Sequence, residues 1–377
     1  MQLLFYRVLT AISAPLAALV FLVRGDGLAR VRERLGLVPR TSSGSLWFHA
    51  ASVGEFRALR PLILREWGMP VVVTVQSRQG QALARRELPA TIPVLAAPLD
   101  APLCFPAFLD RVQPRALVLV ESELWPGWLA SLQARSVPAV LIDGALSKSS
   151  ARRWAGWGGL VQPMAGGLHR ITVSSPSKKA VFEELGFQRV ELALPLKLAG
   201  DPLPIDEDLV KSWQAWQGYS PLVVLSNVHP SEIPALKEML ETRTGDEKVI
   251  IAPRYPEQLR AFEVAFGGAN DQLAYWKGFG TLGALYALGG TVVIGGGFDA
   301  KIGSHNPLEA LRAGCQVVCG PFPGKQSDVL DLLRARGLVA QFPEWPKAAI
   351  GADNLDDLAA KSIKQAVSAV ESVISEQ

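Results

Sequence analysis

Apolar, β-branched runs recur along the chain, and each is followed by a stretch whose apolar residues have helical spacing. In the first half the runs fall at residues 46–49, 71–75, 94–95, 116–120, 139–142 and 171–173, and in the second half at 222–225, 248–252, 291–294, 316–319 and 338–340. Strands that are apolar on both faces belong to parallel sheets covered by helices on both sides, so the alternation predicts α/β domains of the doubly wound kind. A polar, proline-rich segment, GDPLPIDED at 200–208, separates the two series. It marks an expected first domain at 24–199, a linker at 200–220 and a second domain at 221–352. Residues 353–377 have the pattern of one amphipathic helix, and no internal repeat or low-complexity tract is evident. Two such domains facing each other form a cleft, and ligands of open parallel sheets bind beyond the carboxyl ends of strands. The polar residues expected there are Ser52, Glu55, Glu121, Glu123, Asp143, Asn227, His229, Arg254 and the loop at 295–309.

The first 23 residues break the alternation. Residues 3–23, LLFYRVLTAISAPLAALVFLV, carry one charge, Arg7, in 21 positions, which is long enough to cross a bilayer. Arg7 lies near one end, where its side chain reaches the interface. The next segment carries Arg24, Arg30, Arg32, Arg34 and Arg40 against Asp26 and Glu33, so the positive-inside rule puts the bulk of the protein in the cytoplasm. A cleaved signal peptide has a shorter apolar region and a small-residue cleavage site, and no convincing one precedes the arginines. Pro15 and Ser13 weaken a span. A helix lying on the membrane, or packed on the protein, fits as well.

Composition narrows the classes. A chain of 377 residues with 49% hydrophobic and 19% charged content buries large cores and is not a disordered protein. The net charge of +3 is too small to argue for nucleic acid, and no RNP, zinc-finger or basic-helix signature is present. Cys104, Cys315 and Cys319 form no paired framework and no CxxC, which suits a reducing compartment and argues against a metal site.

The densest chemical signal is TVVIGGGFDAKIGSHNPLEALRAG at 291–314. Gly295, Gly296 and Gly297 end a strand and let a ligand approach the backbone closely. Asn306 suits an N-cap, Pro307 the first helical position, Glu309 the third and Gly314 the C′ position. Such a helix start, with Lys301 and His305 nearby, is an anion site. Asn306-x-x-Glu309 equally matches a capping box, a structural device. Ser52-Val-Gly-Glu55 has the same ambiguity: Glu55 is a cap by spacing, yet it sits at a strand's carboxyl end, where a carboxylate can take a proton from a sugar hydroxyl. Arg254, after a strand, fits either a phosphate clamp or a surface ion pair. Glu121 and Glu123 fit either ligand binding or capping of the next helix. Lys197, between apolar neighbours, fits either the cleft or a snorkelling lysine on a strand edge.

Taken in order, WFHAASVGEFRALRPLI, VESELWPGWL, the LPLK segment, IAPRYPEQ and IGGGFDAKIGSHNPLEALRAGCQVVCGPF resemble the Kdo (3-deoxy-D-manno-octulosonic acid) transferases of lipid A assembly, from about residue 24 to about residue 338. NVHPSEI is similar to that family's S-T-H-P-x-E segment. The resemblance implies a GT-B fold, two Rossmann-like domains with a metal-free active site between them and an N-terminal membrane-associated helix. It implies CMP-Kdo as donor substrate with no separate cofactor, a lipid A precursor (lipid IVA) as acceptor, and the cytoplasmic face of the inner membrane. By the same resemblance Glu55 is the general base of an inverting transfer, and Glu123 or Glu121 with Lys197 stabilises the transition state. CMP contacts fall on Pro253, Arg254, Leu282, Gly283, Ala284, Ser304, His305, Asn306, Pro307, Leu308 and Glu309. The chain departs from the family pattern at Gly280 and Ala284, where two acids are replaced, at Ser304, at Tyr255 and within IDGALSKSS. These departures cluster around the donor site. They leave open a transferase using another nucleotide sugar, and a non-catalytic membrane-anchored scaffold.

Overall fold

Strands that are apolar on every position need cover on both faces, and the computed structural model provides it in two units. It describes residues 1–242, 245–278, 280–346 and 353–375. Unit 1 comprises Met1–Gly200 with Leu358–Gln377, and unit 2 comprises Asp201–Asp357.

Among the described residues of unit 1, seven strands form one parallel sheet: β1 (Ser45–Ala50), β2 (Val71–Val75), β3 (Val94–Ala96), β4 (Pro114–Val120), β5 (Ala139–Ile142), β6 (Leu168–Val173) and β7 (Val190–Leu192), in the order β3-β2-β1-β4-β5-β6-β7. The chain first adds strands to one side of β1, then returns to build outward from its other side. That reversal separates the loops after β1 and β4 and makes their carboxyl ends the natural binding position of this sheet. Successive side chains of β1 serve opposite faces. Trp47 packs with Phe105, Phe108, Leu117 and Trp128 on one side, and Phe48 packs with Phe56, Leu59, Val73 and Val118 on the other. The second face is completed by the last helix, Asp353–Ser375, whose Val367, Val370 and Val373 are buried there. The amphipathic pattern at 353–377 therefore records a core element of the first sheet, not a free-standing tail.

Unit 2 repeats the plan with β8 (Leu222–Val228), β9 (Lys248–Pro253), β10 (Leu273–Tyr275), β11 (Thr291–Ile294), β12 (Gln316–Cys319) and β13 (Ala340–Gln341), ordered β10-β9-β8-β11-β12-β13. Here the order reverses between β8 and β11. Val223, Leu225, Ile251, Phe262, Val293 and Val318 form its core.

Four details differ from the sequence pattern. β7 and β10 are three-residue edge strands with no run long enough to announce them. The strand expected at 338–340 pairs at Ala340–Gln341 instead, because Leu338 and Val339 are apolar for burial while the ladder to Val318 and Cys319 is made beyond them. The expected linker holds a helix, Glu207–Gln217, which starts at Asp206; its Oδ1 accepts from the Leu209 N–H at 3.0 Å. Of the five arginines that follow the first helix, Arg30 and Arg34 are buried. Both pair with Asp26, and both donate to the Gln76 carbonyl, so they act as structural groups.

Candidate active site

The carboxyl ends of β1, β4 and β5 gather the charged groups of unit 1. Ser52 is extended (φ −128°), and its hydroxyl accepts from the Glu55 N–H at 3.2 Å, capping the helix Val53–Ile63. The Glu55 carboxylate accepts from the Ala51 N–H at 2.5 Å, one residue earlier than a reciprocal capping box would place it. Glu55 thus helps start the helix while keeping a carboxylate at the switch point of the sheet. Burial pushes its pKa up, the Ala51 N–H pulls it back, and the charges of Glu123 and Glu121 push it up again; the net effect is a raised value. A carboxylate tuned upward is a better proton acceptor near neutral pH.

Glu121 follows β4, sits in the left-handed region (φ +59°) and turns the chain out of the sheet. Its Oε1 lies 2.8 Å from the Lys197 Nζ. Lys197 is carried by the 3₁₀ turn Leu196–Ala199. That turn is fastened by Asp143, at the end of β5, whose Oδ2 accepts from the Leu196 N–H at 3.2 Å. Burial lowers the Lys197 pKa, but the negative charges of Glu121, Asp143 and Glu55 outweigh it and hold the ammonium protonated. Asp143 is 8% exposed. Burial raises its pKa against the opposing charges of Lys178 and Lys197.

Glu123 is held by a buried chain that the motif reading does not contain. His49 and Thr74 are register partners on β1 and β2. The Trp47 Nε1–H donates to the Thr74 hydroxyl at 2.8 Å, and that hydroxyl lies 2.8 Å from the His49 Nδ1. The His49 Nε2 lies 3.1 Å from the Glu123 Oε2, which also accepts from the Trp125 Nε1–H at 2.6 Å. One assignment of protons satisfies every member: Thr74 O–H donates to Nδ1, and Nε2–H donates to the carboxylate. Burial pushes the Glu123 carboxyl up, but the hydrogen bonds from His49 and Trp125 prevail and hold it below its ordinary value. Glu123 is therefore a fixed negative charge beside Glu55. The sequence signal for the chain was a histidine in SLWFHA and a threonine in VVVTV, which only the register brings together.

In unit 2, Asn227, the penultimate residue of β8, lies in the left-handed region (φ +56°) and Arg254 follows β9. The Arg254 Nη1 donates to the Asn227 Oδ1 at 3.4 Å. The neighbouring Ser226 hydroxyl lies 2.7 Å from the Tyr286 hydroxyl, which ties in the helix Leu282–Ala287. His229 and His305, 76 residues apart, meet with their Nε2 atoms 2.8 Å apart. Burial pushes His305 down to about 4, aided by His229 and Arg254, and burial likewise lowers His229. Glu232, fully buried, accepts from the His229 N–H at 2.9 Å and the Phe298 N–H at 3.1 Å, pinning the glycine loop to the end of β8.

The glycines of that loop have a different reason from the one expected. A Cβ on Gly295 would stand 2.3 Å from the Asn227 carbonyl oxygen, one on Gly296 2.3 Å from that of Gly303, and one on Gly320 2.2 Å from that of Gly297. Backbone packs on backbone there, which suffices to require glycine. The helix after the loop is also shorter than the spacing suggests. It spans Leu308–Arg312 with Pro307 as its N-cap, so Glu309 is its second residue. Asn306 accepts through Oδ1 from the Leu308 N–H at 3.1 Å, and Gly314 takes the expected left-handed position (φ +79°). Pro253 closes β9. Ser304 is buried and donates to the His305 carbonyl oxygen at 3.1 Å. The Ala284 and Leu308 side chains are fully enclosed. A Cβ on Gly283 would lie 2.1 Å from the Pro204 carbonyl oxygen.

Comparison with known proteins places this arrangement. The family described as 3-Deoxy-D-manno-octulosonic-acid transferase (kdotransferase) matches residues 29–199, the part of unit 1 that holds Glu55, Glu121, Glu123 and Lys197. A 3-deoxy-D-manno-octulosonic acid transferase of Bordetella pertussis is 28% identical over 81% of this chain and 78% of its own. One of Chlamydophila psittaci is 26% identical over 77% of this chain and 72% of its own. The UDP-GlcNAc 2-epimerase of Neisseria meningitidis, solved with UDP-GlcNAc, superposes with a TM-score of 0.53 over 89% of this chain and 93% of its own at 9% identity, which speaks to the fold alone. With a GT-B fold, that match in unit 1 and those relatives along most of its length, the chain is similar to the 3-deoxy-D-manno-octulosonic-acid transferases and is a glycosyltransferase.

Proposed function

We propose that the protein moves Kdo from CMP-Kdo to a hydroxyl of a lipid A precursor, lipid IVA, at the cytoplasmic face of the inner membrane. The observation that carries this reading is the Glu55 site: a helix-capped, half-buried carboxylate with a raised pKa, beside the Lys197–Glu121 pair and the fixed charge of Glu123. Glu55 takes the acceptor hydroxyl's proton as that oxygen attacks the anomeric carbon from the face opposite the leaving group. The new C–O bond forms, the bond from that carbon to the phosphate oxygen breaks, and CMP leaves with the electron pair, so configuration inverts. Lys197, kept protonated by its acidic neighbours, balances negative charge as it develops. In unit 2, Arg254 and the His229–His305 pair offer hydrogen-bond donors to a nucleotide phosphate. Protein cations fill the role that a divalent metal plays in other transferases, so the reaction is proposed to need none.

A second reading, transfer from another nucleotide sugar, is favoured by one observation. The segment Leu282–Ala284 carries Ala284 where the family resemblance implies an acid, and it is closed over at Gly283 by the Pro204 backbone. Calorimetric titration of the protein with CMP-Kdo, UDP-sugars and GDP-sugars tests both readings. Binding of CMP-Kdo alone supports the first. Preference for a uridine or guanosine sugar replaces it with the second.

A further inference from the structure

The first helix, Gln2–Val23, is amphipathic in an unusual sense. At 1.5 Å per residue it is about 33 Å long. Gln2, Tyr6 and Ala14 face unit 1. The Gln2 Oε1 accepts from the Gly159 N–H at 2.7 Å, the Tyr6 hydroxyl donates to the Asp100 Oδ2 at 2.7 Å, and Ala14 packs with Ala101 and Cys104. Near the other end the Arg34 guanidinium lies 4.0 Å from the centre of the Phe21 ring. Its large apolar residues face away: Leu4, Val8, Ile12, Leu16, Leu19 and Val23 are exposed, at steps of three or four positions that keep them on one stripe.

We propose that this helix lies in the plane of one leaflet, as the outer face of unit 1, rather than crossing the bilayer. The inference rests on the membrane association in the proposed function and adds its geometry. A crossing helix leaves its folded domain at one end. Here the contacts at Gln2 and at Phe21 hold both ends against the same unit. A span would carry Gly159 and Arg34, with the sheet between them, through the depth of the hydrocarbon. The exposed stripe also continues beyond the helix. Leu28 (73% exposed) and Leu103 (81% exposed) stand beside it and rim an apolar crease of about 730 Å³, lined by Ala14, Leu19, Leu35 and Cys104 among others. Arg24, Arg32 and Arg40 are exposed in the segment that follows. Apolar residues flanked by arginine match the boundary between acyl chains and anionic headgroups, whereas a second protein surface would need no such flanking charge.

Two measurements on the full chain decide it, and neither uses donor or acceptor, so failure of the transferase reading leaves them intact. In the first, a chain tagged at both termini is expressed, and inverted inner-membrane vesicles are treated with protease. The in-plane helix exposes both tags to digestion; protection of the N-terminal tag alone means a span and overturns the proposal. In the second, flotation with phosphatidylethanolamine–phosphatidylglycerol vesicles compares the wild type with the double variant Leu9→Glu, Ile12→Glu. Vesicle partition should fall by about tenfold or more with the melting temperature kept, because both positions face away from unit 1. Wild-type protein that does not float, or that forms a dimer which the double variant dissociates, would assign the stripe to a second copy and overturn the leaflet reading.

Discussion

Thr74→Val tests the buried chain behind Glu123. Valine has nearly the shape of threonine, so packing is kept and only the hydroxyl is lost. That hydroxyl accepts from the Trp47 Nε1 and donates to the His49 Nδ1, each at 2.8 Å, and all three residues are fully buried. The substitution leaves one buried donor and one buried acceptor unpaired, at about 1–3 kcal/mol each, or about 2–6 kcal/mol in all. In a unit of this size each kcal/mol lowers the melting temperature by about 2–4 °C, so a drop of about 4–24 °C is expected. Thr74→Ser keeps the hydroxyl and should lose only about 1 kcal/mol for the missing methyl. The assay is urea or thermal unfolding of the three proteins, with transfer rates measured in parallel. Without Thr74 to fix its tautomer, His49 no longer presents Nε2–H steadily to Glu123, so Thr74→Val should also slow turnover in the protein that remains folded. A valine variant within about 0.5 kcal/mol of wild type would refute the assigned chain, since surface-like changes behave that way.

Other consequences concern charge and backbone space. The raised Glu55 pKa means the acidic limb of kcat/KM should lie above the ordinary glutamate value of about 4.3; a limb at or below it would remove Glu55 as the titrating base. The sign for stability is opposite to the usual carboxylate. The folded pKa is raised, so the contribution is fully present below the unfolded value and is lost as pH rises through the folded one. Glu55→Gln should therefore gain in relative melting temperature between pH 4 and pH 7, whereas a relative loss over that interval contradicts the shift. Lys197→Met removes the cation paired with Glu121 and should lower kcat about 10²–10³-fold in steady-state assays, with retention of most activity arguing that the lysine is only structural. Gly320→Ala drives a Cβ to 2.2 Å from the Gly297 carbonyl oxygen and should destabilise unit 2 by about 1–3 kcal/mol, seen as an earlier unfolding transition; an unchanged transition would mean the loop yields freely.

The parts of the fold legible in the sequence are those governed by local pattern. Strands such as VVVTV and TVVI declare themselves because both of their faces are buried. The amphipathic face at the end of the chain was equally plain, but its partner was not, since the residues it covers lie on a sheet that begins at Ser45. At the site, Glu55, Glu121, Glu123 and Lys197 stood out by motif. What each carboxylate does depends on neighbours that no spacing reveals: Ala51 for Glu55, Lys197 for Glu121, and His49 for Glu123. The His229–His305 contact is invisible for the same reason, because a sheet order, not a motif, brings those loops together. The three glycines after β11 mislead in the other direction. Their pattern reads as room for a ligand, yet the space is filled by the backbones of Asn227, Gly303 and Gly320.

The central claim is that Glu55 is the base of a Kdo transfer. Single-turnover reaction of the wild-type protein and of Glu55→Gln with CMP-Kdo and lipid IVA, read by mass spectrometry of the lipid, tests it most directly. Wild type should add Kdo to the lipid. The variant should be slower by about 10²–10⁴-fold while melting close to wild type. No Kdo on the wild-type product would contradict it, as would a Gln variant that turns over normally.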